Sequence, residues 1–405
     1  MARSDPPFDP PSRRPARVRV QAPRPDVGAG GAAKATLGDV VRCSVDVLRD
    51  GHEVLRADLV ATAPSGRKRI VPMVHVDAGS LGVRWEAPLA LDQLGAWTWD
   101  VRAWADRLAS WRVELERKVA GGQDELDGEL AEGAQLLAAA AERAPKRARP
   151  PIAAAAALVG DGDRPRDERV AAALDPALAA ATDAHPDRSD AGSLAAPGRL
   201  QVDPVLARFG AWYELFPRSW GGLDAVRRRL PALAELGVDV VYLPPISPIG
   251  RTNRKGRNNA LVAGPDDPGS PWAIGDATGG HDAVHPELGT VDDVVALTAD
   301  ARSLGIEIAL DLAIQCSADH PWLTEHPEWF QHRPDGTLKY AENPPKKYQD
   351  IYNVDFDCDD WPGLWQALLD VVRTWVDRGV RVFRVDNPHT KPLPFWRWLI
   401  AEVRS

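Results

Sequence analysis

Val380-Arg381-Val382-Phe383-Arg384-Val385-Asp386-Asn387-Pro388 is a short apolar run that ends on charge. Read as a strand, it alternates side chains between two faces, so Arg384 and Asp386 share one. A guanidinium in that position keeps the carboxylate ionised and fixes its direction. A carboxylate nucleophile that attacks a sugar carbon needs both. An isolated Arg-x-Asp is more often a structural ion pair. The chain around this one decides between the two readings.

Working outward, residues 361–378 predict a helix before the run, and 395–403 begin another after it. Upstream, helical patterns at 223–236 and 291–304 alternate with apolar strands at 209–216, 238–245 and 306–314. Apolar strands separated by helices indicate a parallel sheet covered on both faces. Two long loops, 247–290 and 316–360, each follow a strand. That puts them at the carboxyl end of the sheet, where barrel enzymes hold their active sites, and loops of such length are usually functional.

The first half of the chain reads differently. Residues 1–17 are rich in proline and charge and predict a disordered tail. From 18 to 120, short alternating runs such as 40–47, 55–60, 83–87 and 97–104 predict a small antiparallel β-sandwich. Between 121 and 184 the composition shifts to Ala, Leu and Glu, and Leu126, Leu130, Leu137 and Ala141 recur at helical spacing. An inserted helical hairpin is expected there, broken at 143–151, with a linker at 185–200. The expected fold class is therefore multidomain: a sandwich with a helical insertion, then the first half of an α/β (β/α)8 barrel, strands one to four, over 201–405. A loop subdomain is expected within it at 316–360.

Lysine and arginine total 49 against 58 acidic residues, a net charge of −9 with no basic run, so nucleic acid is excluded as a partner. No apolar stretch approaches the ~18 residues of a membrane span, and no secretory leader is read at the start. Cys43, Cys316 and Cys358 are too widely spaced for a CxxC site, which fits a reducing, cytoplasmic setting without a disulfide framework.

Four segments together resemble the α-amylase superfamily. They are Trp212-Tyr213-Glu214-Leu215-Phe216-Pro217, Val240-Val241-Tyr242-Leu243-Pro244-Pro245-Ile246, the strand ending in Asp311, and the Arg384–Asp386 pair. Most members carry Asn-His soon after the third-strand aspartate; this chain has Gln315 and His320, which points to a subfamily. Gly250-Arg251-Thr252-Asn253-Arg254-Lys255-Gly256, Ala341-Glu342-Asn343-Pro344-Pro345-Lys346-Lys347-Tyr348 and Asp386-Asn387-Pro388-His389-Thr390-Lys391-Pro392 narrow the likeness. They resemble the α-1,4-glucan:maltose-1-phosphate maltosyltransferases. The resemblance implies α-maltose 1-phosphate as donor, an α-1,4-glucan as acceptor, and a homodimer formed through the N-terminal domain.

The chemistry of such a donor gives these loops a purpose. A departing phosphate must be held, and lysines supply charge while amides and phenols add direction. Lys255, Asn343, Lys346 and Tyr348 are the expected set, with Gln315 and Asn387 on sugar hydroxyls or phosphate. Arg254-Lys255 or Lys346-Lys347 taken alone would read as a solvated surface pair. Asp311 either ligates calcium, as in many amylases, or orients Arg384. The resemblance implies neither metal nor cofactor. His281 supports the sugar-binding loop or simply stabilises it.

The expected reaction is a retaining double displacement, with Asp386 as nucleophile and Arg384 as its support. In the superfamily the acid/base glutamate follows strand five, and Ser405 lies in the helix after strand four. The 405-residue chain is therefore expected to be an N-terminal piece, inactive and poorly stable by itself. Two competing readings remain: another superfamily enzyme (a hydrolase or a trehalose-forming isomerase), and a non-catalytic glucan-binding or dimerising fragment. Phosphate dependence separates the first, and glucan binding without turnover the second.

Overall fold

The computed structural model describes residues 16–404 apart from 29, 78, 80 and 81; most of the expected disordered tail, residues 1–15, lies outside the described residues. The chain forms two compact units, Met1–Arg208 and Phe209–Ser405.

Unit one opens with β1 (Arg19–Arg24), β2 (Ala33–Thr36), β3 (Val40–Leu48), β4 (Leu55–Thr62), β5 (Lys68–Pro72), β6 (Val74–His75), β7 (Arg84–Ala90) and β8 (Gly95–Ala105). Helices α1 (Arg107–Ala120), α2 (Asp127–Arg143), α3 (Arg149–Gly160), α4 (Arg166–Ala173) and α5 (Pro176–Asp183) follow, and β9 (Gly198–Asp203) closes the unit. The strands form two sheets, ordered β1-β3-β7-β6 and β2-β9-β8-β4-β5. They share one core: Trp97, Trp99 and Val101 bury alternate positions of β8 with Leu59 of one sheet and Val45, Val47 and Leu89 of the other.

Three features differ from the sequence reading. The sheets are not wholly antiparallel, because the chain returns from the helices and lays β9 parallel to β2 and antiparallel to β8. Residues 198–203 are thus a strand of unit one, neither linker nor barrel. The helices also start earlier, at Arg107, where the Asp106 carboxylate accepts from the Ala109 amide at 2.9 Å and caps α1. Finally, there are five described helices rather than a hairpin. Pro150 and Pro151, read as a break, lie in the first turn of α3, where a missing N–H costs nothing.

Unit two contains β10 (Trp212–Glu214), α6 (Pro217–Trp220), α7 (Leu223–Glu235), β11 (Val240–Leu243), α8 (Val291–Ser303) and β12 (Glu307–Leu312). Then come β13 (Gln315–Cys316), α9 (Pro321–Glu325), β14 (Tyr340–Asn343), β15 (Lys346–Asn353), α10 (Trp361–Asp377), β16 (Val382–Val385) and α11 (Leu393–Arg404). The main sheet runs β10-β11-β12-β16, every pair parallel. Interior strand β11 is buried along its length, and Val226, Leu230, Leu297, Leu368 and Trp375 of the flanking helices pack into the same core. Between β12 and α10 the chain builds a small antiparallel sheet, β13-β15-β14. Among the described residues no helix is long and apolar enough to cross a membrane.

Candidate active site

Parallel pairing of β12 with β16 places Asp311 directly opposite Arg384. The Arg384 Nη1 donates to Asp311 Oδ2 at 3.0 Å and, two residues along its own strand, to Asp386 Oδ1 at 2.7 Å. One guanidinium therefore binds two carboxylates. The Asp311 side chain is 0% exposed and that of Asp386 18%.

Asp311 Oδ2 also accepts from the Tyr242 hydroxyl and from Trp272 Nε1 at 3.3 Å, while its Oδ1 is buried without a hydrogen-bond partner. Burial pushes the Asp311 carboxyl above the usual carboxylate range, against the pull of Tyr242 and Arg384. Asp311 thus fixes Arg384, and Arg384 fixes Asp386. The Arg384 guanidinium lies 5.6 Å from the centre of the Tyr242 ring, a second restraint.

After Asp386 the chain turns sharply. Asn387 adopts a left-handed conformation (φ 45°), which Asn tolerates better than most residues. The turn lets the Asn387 side-chain amide donate to Asp386 Oδ2 at 3.0 Å. Both oxygens of Asp386 are held. Thr390 Oγ1 donates to the Asn387 carbonyl at 2.8 Å, and Trp396 Nε1 donates to that of Pro388 at 2.9 Å.

Asp386 opens onto a cavity of about 550 Å³. Gln315, Asn343, Tyr348 and Asn387 also line it, so the structure gathers these expected residues around the carboxylate. Trp272, Glu342, Asn353 and Lys391 complete much of its polar and aromatic wall. Gln315 is held from behind by donating to the Trp272 carbonyl at 3.2 Å.

Two expected residues are not brought onto that wall. Lys255 is buried and donates to Gln349 Oε1 at 2.5 Å, which ties it to the residue after Tyr348. Lys346 is exposed near the turn joining β14 and β15, register partner of Asn343. Each stands one step from a wall residue. Tyr242, Trp272 and Lys391 were not singled out from sequence as site residues. Trp272 carried a usable signal, an aromatic in a long loop after a strand, whereas the role of Tyr242 emerges only from strand pairing.

His281 lies behind the site, fully packed. Its Nε2 donates to the Ala313 carbonyl at 2.9 Å, leaving Nδ1 to accept from His320 Nε2 at 3.1 Å. His320 Nδ1 in turn accepts the Trp322 amide at 3.1 Å. Burial lowers the pKa of His281 to about 4 and that of His320 to about 2. With Cys316 these histidines form a group whose ligating atoms lie within 4.8 Å. Each ring nitrogen already has a partner, and a Cβ on Gly280 would come within 2.3 Å of His320 Nε2. The cluster is thus a packed hydrogen-bonded relay joining the 279–282 loop to the end of β12.

Residues 16–204 match the family described as alpha-1,4-glucan:maltose-1-phosphate maltosyltransferase, domain N/S, and residues 208–391 match the alpha amylase catalytic domain. Over 96% of the chain, 47% of residues are identical to alpha-1,4-glucan:maltose-1-phosphate maltosyltransferase 1 of Streptomyces coelicolor. Against the maltosyltransferase of Mycolicibacterium smegmatis the identity is 44%, again over 96% of the chain. The chain spans 58% and 61% of the lengths of these two relatives. A noncanonic maltogenic alpha-amylase from Thermotoga neapolitana has 25% identity and a TM-score of 0.40, covering 48% of this chain and 42% of that one. With the amylase-domain match, the four parallel strands of unit two are part of a (β/α)8 barrel.

Proposed function

The chain belongs to the α-1,4-glucan:maltose-1-phosphate maltosyltransferase family, and from that premise we propose that it supplies the donor pocket and the nucleophile for maltosyl transfer. The donor is α-maltose 1-phosphate and the acceptor the non-reducing end of an α-1,4-glucan. The observation that carries the reading is Arg384, bonded to both Asp311 and Asp386, holding the latter against a cavity walled by Gln315, Asn343, Tyr348 and Asn387.

Asp386 attacks C1 of the donor, and the C1–oxygen bond breaks with its electrons going to phosphate. The product is a β-maltosyl ester on Asp386. A glucan 4-hydroxyl then attacks C1 with a second inversion, its proton passing to the acid/base carboxyl of such a reaction and the Asp386 carboxylate departing, so the α configuration is retained. Arg384 holds the carboxylate aimed, while Asn343 and Tyr348 donate to the leaving group. Lys255 and Lys346 belong to the loops behind those two residues. A retaining displacement needs a second carboxyl about 5–5.5 Å from the nucleophile. Asp311 is committed to three donors, and the acid/base role is assigned to no described residue. The 405-residue chain is therefore expected to bind donor without sustained turnover.

Calorimetric titration of the chain with α-maltose 1-phosphate and with maltose tests the reading. Saturable binding that favours the phosphorylated sugar, and weakens in Asn343→Ala and Tyr348→Phe, is the expected result. Equal affinity for the two sugars would refute the donor assignment.

We propose further that the two sheets of unit one form a sandwich that pairs with a second copy of the chain, supported by the exposed apolar side chains of Ile70, Val74 and Val76. Sedimentation of wild type and Val74→Glu checks this; a monomeric wild type would dismiss it. A cytoplasmic location is supported by three free, buried cysteines.

A further inference from the structure

A row of aromatic rings leads from a cavity wall to the surface of unit two. It begins at Phe356, which lines a second cavity of about 420 Å³; that cavity shares Asn353, His389, Thr390 and Lys391 with the one holding Asp386. Phe356 lies against Phe395 of α11 with ring centres 5.0 Å apart, and Phe395 against Trp365 of α10 at 5.4 Å. Trp365 in turn meets Trp398 at 5.4 Å and Trp361 at 4.9 Å. Phe395 is fully buried, whereas Trp361, the first residue of α10, is 46% exposed.

The exposed ring is held rigidly. Trp361 and Trp365 are four residues apart and share one face of α10. Their planes meet at 68°, an edge-to-face contact that aromatic pairs favour. Asp360 caps the helix by accepting from the Gly363 amide, and Pro362 stands in its first turn, so the backbone beneath Trp361 is fixed. The Trp365 indole N–H is buried without a hydrogen-bond partner, so packing alone places that ring. Asp359, Gln366 and Arg397, close in sequence to these indoles, are exposed and polar. A rigid exposed indole bordered by polar side chains suits a sugar, whose C–H face is flat and apolar and whose hydroxyls seek polar partners.

We propose that Trp361, backed by Trp365 and Trp398, is a platform outside the donor cavity on which an α-1,4-glucan stacks its sugar rings. This rests on the glucan acceptor of the reading above. A polymeric acceptor extends beyond the cavity in which its end reacts, so the rest of it lies along the protein surface. The aromatic row joins the platform to the wall of the adjoining cavity, which favours a glucan over an unrelated partner. Holding the polymer at a second place raises the local concentration of its ends. Trp361 therefore acts on affinity for long chains and leaves the donor untouched.

The test measures retardation of the full chain in native gels containing soluble amylose or dextran, beside calorimetric titration with α-maltose 1-phosphate and maltose. Wild type should be slowed by the α-1,4-linked polymer and not by α-1,6-linked dextran. Trp361→Ala is expected to weaken amylose binding by about tenfold, and Trp361→Tyr by about threefold or less because a flat ring remains. Both should bind α-maltose 1-phosphate within about twofold of wild type. An unchanged melting temperature reports folding, and Trp361→Gln replaces Trp361→Ala if the latter is unstable. Undiminished amylose binding in Trp361→Ala would overturn the platform, as would equal retardation by dextran or a wild type slowed by neither polymer. Equal losses of amylose and α-maltose 1-phosphate would mean a structural role and would also overturn it. A wild type that does not prefer α-maltose 1-phosphate to maltose removes the donor reading by itself, while the amylose gels still decide the platform.

Discussion

Replacing Arg384 with methionine keeps the length of the side chain and removes the charge that two carboxylates share. Asp311 suffers most, because its side chain is 0% exposed and its remaining donors, Tyr242 and Trp272, are neutral. Breaking a buried ion pair by deleting one partner costs about 3–5 kcal/mol. Arg384 is itself 40% exposed, so solvent screens part of the interaction, and about 2–3 kcal/mol is the expected loss. Urea unfolding of wild type, Arg384→Met, Asp311→Asn and the double variant at pH 7 measures it. The double variant should be less damaged than the sum of the singles by about 1 kcal/mol or more, because asparagine needs no cation. The deficit of Arg384→Met should also shrink as pH falls through the raised pKa of Asp311, where a neutral acid replaces an unpaired anion. Strictly additive singles, or a loss below about 0.5 kcal/mol, would show that Arg384 does not anchor this pair.

Two further outcomes concern the histidine relay. The folded pKa values of His281 and His320 are depressed, so below the unfolded value of about 6.5 the unfolded chain binds more protons. Stability from the pair is full above that pH and falls toward pH 4; melting temperature against pH should show the slope, and His320→Gln should flatten it. Gly280→Ala pushes a methyl against His320 Nε2, only 2.3 Å from the ideal Cβ position. It should cost about 1–3 kcal/mol in denaturant unfolding, and a neutral effect would mean the relay is loosely packed.

Much of unit two was legible because buried parallel strands are continuously apolar and their helices carry a one-sided stripe; β11 and α10 are clear cases. The Arg384–Asp386 relation was legible as well, since it depends only on two-residue alternation within one strand. For Asp311 the sequence left two roles open, calcium ligand or support of Arg384, and for Tyr242 it offered none, because both depend on register between strands far apart in the sequence. Lysine was the least legible residue. Its flexible stem can end buried against Gln349, as in Lys255, or on a cavity wall, as in Lys391, and charge plus position in a motif does not separate the two. In unit one, β9 escaped because a strand that pairs across a long helical insertion carries no local signal of its partner.

The claim on which the rest depends is that Asp386 faces C1 of a glycosyl phosphate. A crystal structure of the chain with α-maltose 1-phosphate measures this most directly. The account predicts the anomeric carbon about 3–3.5 Å from an Asp386 carboxylate oxygen, with the phosphate against Asn343 and Tyr348. Sugar bound with its anomeric carbon turned away from Asp386, or phosphate seated outside this cavity, would contradict it.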